Sequence, residues 1–188
     1  GPISDKGRNV GSKYSFRFEP VVAKVLKSVG FDILSFANNH VGDWSDEAFL
    51  DTLGNLSENN LLFTGAGETY EKAKKPTIIE RNGIKIGYLG FSDVGPEWMV
   101  ATEDKPGILL AGDKNLKDIV ANAKEMVDVL VVSVHWGDEY KEFNKRQETL
   151  AKTTIDSGGD IVVGHHPHVE QEVKEYKELS YTYGSDLR

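Results

Sequence analysis

Two short runs constrain this chain more than any other feature. Asp128 to His135 (DVLVVSVH) and Asp160 to Gly164 (DIVVG) are apolar at almost every position. Strands of that kind belong inside a sheet buried on both faces, which in practice means parallel strands covered by helices. A helical pattern precedes each run. Asp113 to Met126 leads into the first, and Lys145 to Ser157, stopped by Gly158-Gly159, leads into the second. Upstream, Pro20 to Val29 places Val21, Val22, Val25, Leu26 and Val29 on one helical face, and Phe31 to Ala37 (FDILSFA) reads as a short strand. Ser45 to Glu58 predicts another helix, with Ser45 as N-cap, Asp46 and Glu47 at its positive end, and Phe49, Leu50, Leu53 and Leu56 as its apolar stripe. Pro76 to Glu80 and Ile84 to Phe91 are β-rich runs joined through Asn82-Gly83, a hairpin signal. Two further strand-like stretches flank the charged KEYKE between Val169 and Tyr183. Helix followed by buried strand, repeated, predicts an α/β fold with an added antiparallel hairpin. No linker interrupts the pattern, so residues 1–188 read as a single domain.

Composition removes several functions. The net charge is -8, from 22 Lys+Arg against 30 Asp+Glu, which argues against nucleic-acid binding. There is no cysteine, so a disulfide, a thiolate metal site and a catalytic thiol are all excluded. No stretch is apolar for long enough to predict a membrane-spanning segment in this chain. A Gly-Lys-Ser/Thr phosphate loop and a Gly-x-Ser-x-Gly elbow are both missing, and Gly65-Ala66-Gly67 lacks the third glycine of a dinucleotide fingerprint. The stretch from Ser92 to Ala111 has no periodicity and reads either as a lid or as an ordered surface loop.

All five histidines fall at the carboxyl ends of predicted strands. His40 follows FDILSFA through Asn38-Asn39, His135 closes DVLVVSVH, and His165, His166 and His168 follow DIVVG. Ligands collect outside the carboxyl ends of strands in open α/β sheets, so three distant segments are expected to bring imidazoles to one edge of one sheet. Pro167 is expected to hold its neighbours extended, so that His166 and His168 project to one side while His165 faces away. Imidazoles grouped in this way favour a transition-metal site over a proton relay. Asn38-Asn39 reads either as a turn or as the source of a carbonyl ligand, with His40 just beyond it as a proton donor. Asp43 and Glu139, three and four residues after His40 and His135, either orient an imidazole, complete a site or remain solvated acids. Trp44 and Trp136 either wall a pocket or pack in the core.

With these residues in view, a resemblance emerges. The ordered segments FANNHVGD, LLFTGAGETYEKAKKPTIIERNGIKIGYLGF, VVSVHWGDEY and RQETLAKTTIDSGGDIVVGHHPHVEQ cover nearly the whole chain. Together they resemble the CapA-type capsule-synthesis or poly-gamma-glutamate biosynthesis proteins, a branch of the calcineurin-like metallophosphatase superfamily. The resemblance implies a four-layer α-β-β-α sandwich with a site for two divalent ions, Mn, Fe or Zn. Carried over, Asn39, His135 and His166 bind one ion and His168 the other. His40 is the catalytic residue, protonating a leaving group or stabilising the transferring phosphoryl, and Asn38, Asp43, Glu139 and His165 are expected to support the ligands from behind or to face substrate. Such ions make a bound water more acidic and neutralise charge on phosphate oxygens.

The family also has carboxylate ligands, on a strand ending Gly-Asp and in a later Asn-Leu-Glu. Gly1-Pro2-Ile3 corresponds to the residues immediately after that glutamate, so the resemblance implies a chain truncated at its N-terminus and short at its C-terminus. Weak metal binding at His168 is expected in consequence, and two tightly held ions would point to Asp43 or Glu139 as the replacement carboxylate. Ser45 stands where glycine is common, and Ser185 replaces the asparagine of the usual ending. The implied substrate is a phosphoester or an anionic polymer, which the charge of -8 does not oppose because bound metals supply the positive field. The implied partners are other capsule or polyglutamate synthesis components, and the implied setting of the full-length protein is the cell envelope. The alternative to a hydrolase is a non-catalytic, polymer-binding part of a synthesis and export complex.

Overall fold

Both apolar runs are strands, and each is fixed to its neighbour at its first residue. In the computed structural model, which describes residues 1–95, 97–177 and 179–182, the elements in chain order are α1 (Val21–Ser28), β1 (Ile33–Ser35), α2 (Ser45–Glu58), β2 (Leu62–Thr64), β3 (Ala66–Gly67), α3 (Tyr70–Ala73), β4 (Thr77–Arg81), β5 (Ile84–Ser92), β6 (Gly107–Ile108), α4 (Leu116–Lys124), β7 (Val129–His135), α5 (Lys145–Asp156), β8 (Ile161–His165), β9 (Val173–Tyr176) and β10 (Leu179–Thr182). The fold is α/β. It divides into two units, one of Gly1–Lys74 with Gly95–Leu109, the other of Lys75–Val94 with Leu110 and the residues after it.

The second unit is built on a six-stranded sheet of order β4-β5-β7-β8-β10-β9. Strands β5, β7, β8 and β10 run parallel, and β4 and β9 pair antiparallel at the two edges. Asp128, the first residue of DVLVVSVH, accepts the Lys85 amide at 2.7 Å, which ties β7 to β5. Asp160, the first residue of DIVVG, accepts the Leu130 amide at 2.6 Å and the Lys124 ammonium at 2.7 Å, which ties β8 to β7. With the amino ends held there, the carboxyl ends line up so that Ser92, His135 and His165 form one row across the sheet. In β7 the faces differ. Leu130, Val132 and Val134 are buried, whereas Val129, Val131, Ser133 and His135 are only partly so.

Helices α4 and α5 supply Leu116, Ile119, Val120, Leu150, Ala151 and Ile155 to the core. Each fully buried aliphatic side chain contributes on the order of 1.5–3 kcal/mol. Helix α5 opens on a capping box in which Asn144 accepts the Gln147 amide and Gln147 accepts the Asn144 amide. The β4–β5 hairpin turns at Asn82 and Gly83, both at positive φ as an Asn-Gly turn requires.

The first unit departs further from expectation. Helix α1 does not bury one valine face: Val21, Val25 and Val29 are 59%, 51% and 67% exposed, and the fully buried residue is Ala23. From the predicted face of α1, Val22 and Leu26 pack onto the cluster of Ile3, Ala23, Leu56 and Leu61, as do Leu34 and Phe63. Ser45 is not an N-cap. It is the first residue of α2, at φ 75°, and Trp44 before it makes no side-chain cap. In the α2 stripe Leu50 is 41% exposed, and Thr52 takes the buried place, accepting the Ile3 amide. Among the described residues β1 pairs only with β2, in a separate two-stranded parallel sheet, and β3 pairs antiparallel with β6. The unpatterned stretch after Ser92 is anchored by buried Met99, Ala101, Ile108 and Leu109. The KEYKE segment is itself largely strand β9, with the turn at Lys177, and the ending from Tyr183 with Ser185 lies outside the described residues.

Candidate metal centre

Within the first unit, Asn38 accepts the His40 amide at 2.9 Å and donates to the Phe36 carbonyl at 3.2 Å. Asn38 is therefore the turn-former of the pair. Asn39 Nδ2 lies 3.3 Å from His40 Nε2. The other ring nitrogen, Nδ1, is 2.9 Å from Asp43 Oδ2, and that same oxygen accepts the Phe16 amide at 2.9 Å. Asp43 is buried and the Phe16 ring stands edge-on to His40 at 4.6 Å. A carboxylate on Nδ1 places the proton there and fixes how the ring presents Nε2. Of the alternatives for Asp43, the one realised is orientation of an imidazole.

The second unit gathers the other four histidines. His135 Nδ1 lies 2.8 Å from His165 Nδ1, and His165 Nε2 lies 2.8 Å from Ser133 Oγ. A hydrogen bond between two Nδ1 atoms requires one to carry the proton and the other to accept it, so the two tautomers are coupled. His165 thus spends both nitrogens on neighbours in the sheet. The His135 and His166 rings are 4.6 Å apart, and those of His166 and His168 are 6.0 Å apart.

Ligand atoms of His166, His168 and Glu139 all lie within 4.8 Å of one another. His166 is buried and the other two are exposed. The route to this grouping is not the expected one. His166 and His168 sit at φ 107° and 59°, so they converge through left-handed backbone and not through an extended His-Pro-His. Tyr140, next to Glu139, is also left-handed at φ 62°. Three non-glycine residues in sparsely populated backbone at one place is a cost of about 1–3 kcal/mol each, which the surroundings must offset.

They do so with hydrogen bonds between loops. Tyr140 N–H donates to the Pro167 carbonyl at 2.7 Å, Gln171 donates to the Lys141 carbonyl at 2.7 Å, and buried Gln147 donates to Gln171 at 3.1 Å. Gly137, at φ 85°, leaves room for that glutamine, since a Cβ there would lie 2.7 Å from its Nε2. Trp136 is fully buried core and its amide donates to the His165 carbonyl. Sequence reasoning missed Gln147, Gln171 and Ser133. The Asn144-x-x-Gln147 spacing carries the capping-box signal for the first, but nothing local marks the other two.

The expectation of one sheet edge needs correction. His135 and His165 end strands of the six-stranded sheet, while His40 follows β1 of the two-stranded sheet, because β1 finds its partner in β2. Asn38, Asn39, His40 and Asp43 form one group; His135, Glu139, His165, His166 and His168 form the other.

A family model described as "Bacterial capsule synthesis protein PGA_cap" matches residues 1–185. The chain belongs to this family. Among PGA_cap relatives, it is 41% identical over 155 residues to the PGA biosynthesis protein CapA of Bacillus subtilis, covering 81% of this chain and 41% of that protein. It is 37% identical over 169 residues to the capsule biosynthesis protein CapA of Bacillus anthracis, covering 86% and 41%. This PGA_cap chain therefore spans about two-fifths of the length of those relatives. Its fold is similar to the crystal structure of a hypothetical protein from Thermus thermophilus, with a TM-score of 0.54 at 18% identity over 86% of this chain and 56% of the other.

Proposed function

We propose that this chain carries a metal-dependent phosphoesterase-type hydrolase site serving capsule or poly-gamma-glutamate biosynthesis, on a four-layer metallophosphatase-like α-β-β-α fold. The observation that carries the reading is the gathering of four imidazoles and a carboxylate at the carboxyl ends of β7 and β8, in a chain whose family is described by capsule synthesis. The donors are nitrogen and oxygen only, a set suited to Mn, Fe or Zn. Within the second unit His135, His166 and His168 are the ligands in this reading. Divalent ions bound there would supply Lewis acidity and neutralise charge on phosphoryl oxygens.

The chain's own groups do the rest. In the second unit His165 holds the ring of His135, and in the first Asp43 orients His40, whose proposed task is to give an Nε2 proton to a leaving oxygen. Expected partners are an anionic polymer or phosphoester substrate and other components of capsule or polyglutamate synthesis. The test is turnover of an aryl phosphate by the purified chain with Mn²⁺ or Zn²⁺. Chelation is expected to abolish it, and His166→Ala to lower it by more than about 100-fold. Turnover that survives both would reject the reading.

A second reading has one fact in its favour: the family and its relatives are named for a pathway and not for a reaction. In it the same site is a non-catalytic binder of polymer carboxylates. Metal-dependent capture of poly-gamma-glutamate without turnover of any phosphoester would select it.

A further inference from the structure

We infer that Glu139 is a direct metal ligand, holding one divalent ion together with His166 and His168 in a site completed within the second unit. This rests on the metal-dependent part of the reading above and does not require hydrolysis. The donor set is two imidazoles and one carboxylate, whose ligand atoms already lie within 4.8 Å of one another. Donors bonded at about 2.0–2.2 Å to a common ion stand up to about 4.4 Å apart, so small side-chain rotations close the site.

The loops that deliver these donors are joined at the next residues along. Tyr140 follows Glu139, Pro167 separates the two histidines, and the Tyr140 amide bonds the Pro167 carbonyl at 2.7 Å. Gln171 repeats the link one residue further, on the Lys141 carbonyl. A site needs such support to hold its donors before the ion arrives. The other carboxylate near a histidine, Asp43, is engaged by His40 and by the Phe16 amide. Glu139 therefore supplies a carboxylate beside the two imidazoles, so that His168 shares its ion with an acid. One carboxylate and two neutral imidazoles leave a divalent ion with a net single positive charge, enough to attract a phosphate or carboxylate group.

Titration of the full chain with Co²⁺, followed by visible absorption and by the rise in melting temperature on metal addition, tests this. Glu139→Gln is expected to weaken Co²⁺ binding by at least about tenfold and to remove most of the melting shift, with the metal-free melting temperature unchanged. Glu142→Gln, a loss of charge three residues on, is expected to bind like the wild type. Equal Co²⁺ affinity in Glu139→Gln and wild type overturns the inference. If that equality coexists with metal-dependent phosphoester turnover, the hydrolase reading stands without it. If Glu139→Gln loses the ion but the wild type turns over no phosphoester, the inference stands and the hydrolase reading falls.

Discussion

His40 leans on a carboxylate, whereas His135 leans on another imidazole, and the two settings suit different chemistry. Asp43 is buried, takes the Phe16 amide as well as His40 Nδ1, and comes from the same short loop as the ring it holds. That arrangement fixes the orientation of the ring locally and leaves proton exchange to Nε2. His165 holds His135 from the neighbouring strand, and Ser133, from the strand of His135, holds His165 in turn. The contact at Nδ1 is an imidazole and not a carboxylate, and it orients the ring as a ligand requires. The same residue type is thus assigned its task by its partner.

Asp43→Asn should break this contrast most strongly. Turnover of alkyl phosphates, whose leaving oxygen needs a proton, is expected to fall by about 100-fold, while aryl phosphates of low leaving-group pKa fall little and metal stoichiometry is unchanged. Equal losses on both substrate types would remove the proton-donor role from His40. On the other side, His165→Phe keeps an aromatic ring, a larger one, but deletes the hydrogen bonds to His135 and Ser133. Metal affinity is expected to drop by about tenfold, with turnover at saturating metal close to wild type. A fall in saturated turnover with unchanged affinity would mean that His165 does more than position its neighbour.

The smallest effect is expected away from both rings, at Asp51. Burial pushes this carboxyl up, but hydrogen bonds from Lys6, Ser4 and Asn55 and the Lys6 charge together hold it below its ordinary value of 3.8. A depressed folded-state pKa adds stability that is present above the ordinary value and fades as the pH falls through the lower one. The melting-temperature gap between wild type and Asp51→Asn should therefore be widest near about pH 5 and close toward about pH 2. A gap that widens on acidification would contradict the assignment.

What could be read from the sequence followed the reach of each signal. The β4–β5 hairpin, α2, α5 and the strands β7 and β8 rest on local patterning, and they stand where that patterning puts them. The valines of α1 have the right period, yet the helix packs through Ala23 because small size, not hydrophobicity alone, sets the close contact. Strands β2, β3 and β6 have two or three residues, too few to show a period. His40 and Asp43 share one loop, so their partnership was legible. Glu139 meets His166 and His168 through the bond between Tyr140 and Pro167, which no local spacing encodes. The left-handed backbone of His166 and His168 was hidden for the same reason.

The aspartates at the heads of β7 and β8 act as rulers. Asp128 and Asp160 lock the amino ends of their strands to the neighbouring backbone, and the histidines are measured off from those marks to a common row. A slip of one residue in β7 would turn His135 into the helix-covered face and put Val134 in its place. Ion uptake would then double as an audit of strand alignment, because a sheet assembled out of step loses its chemistry before it loses its shape.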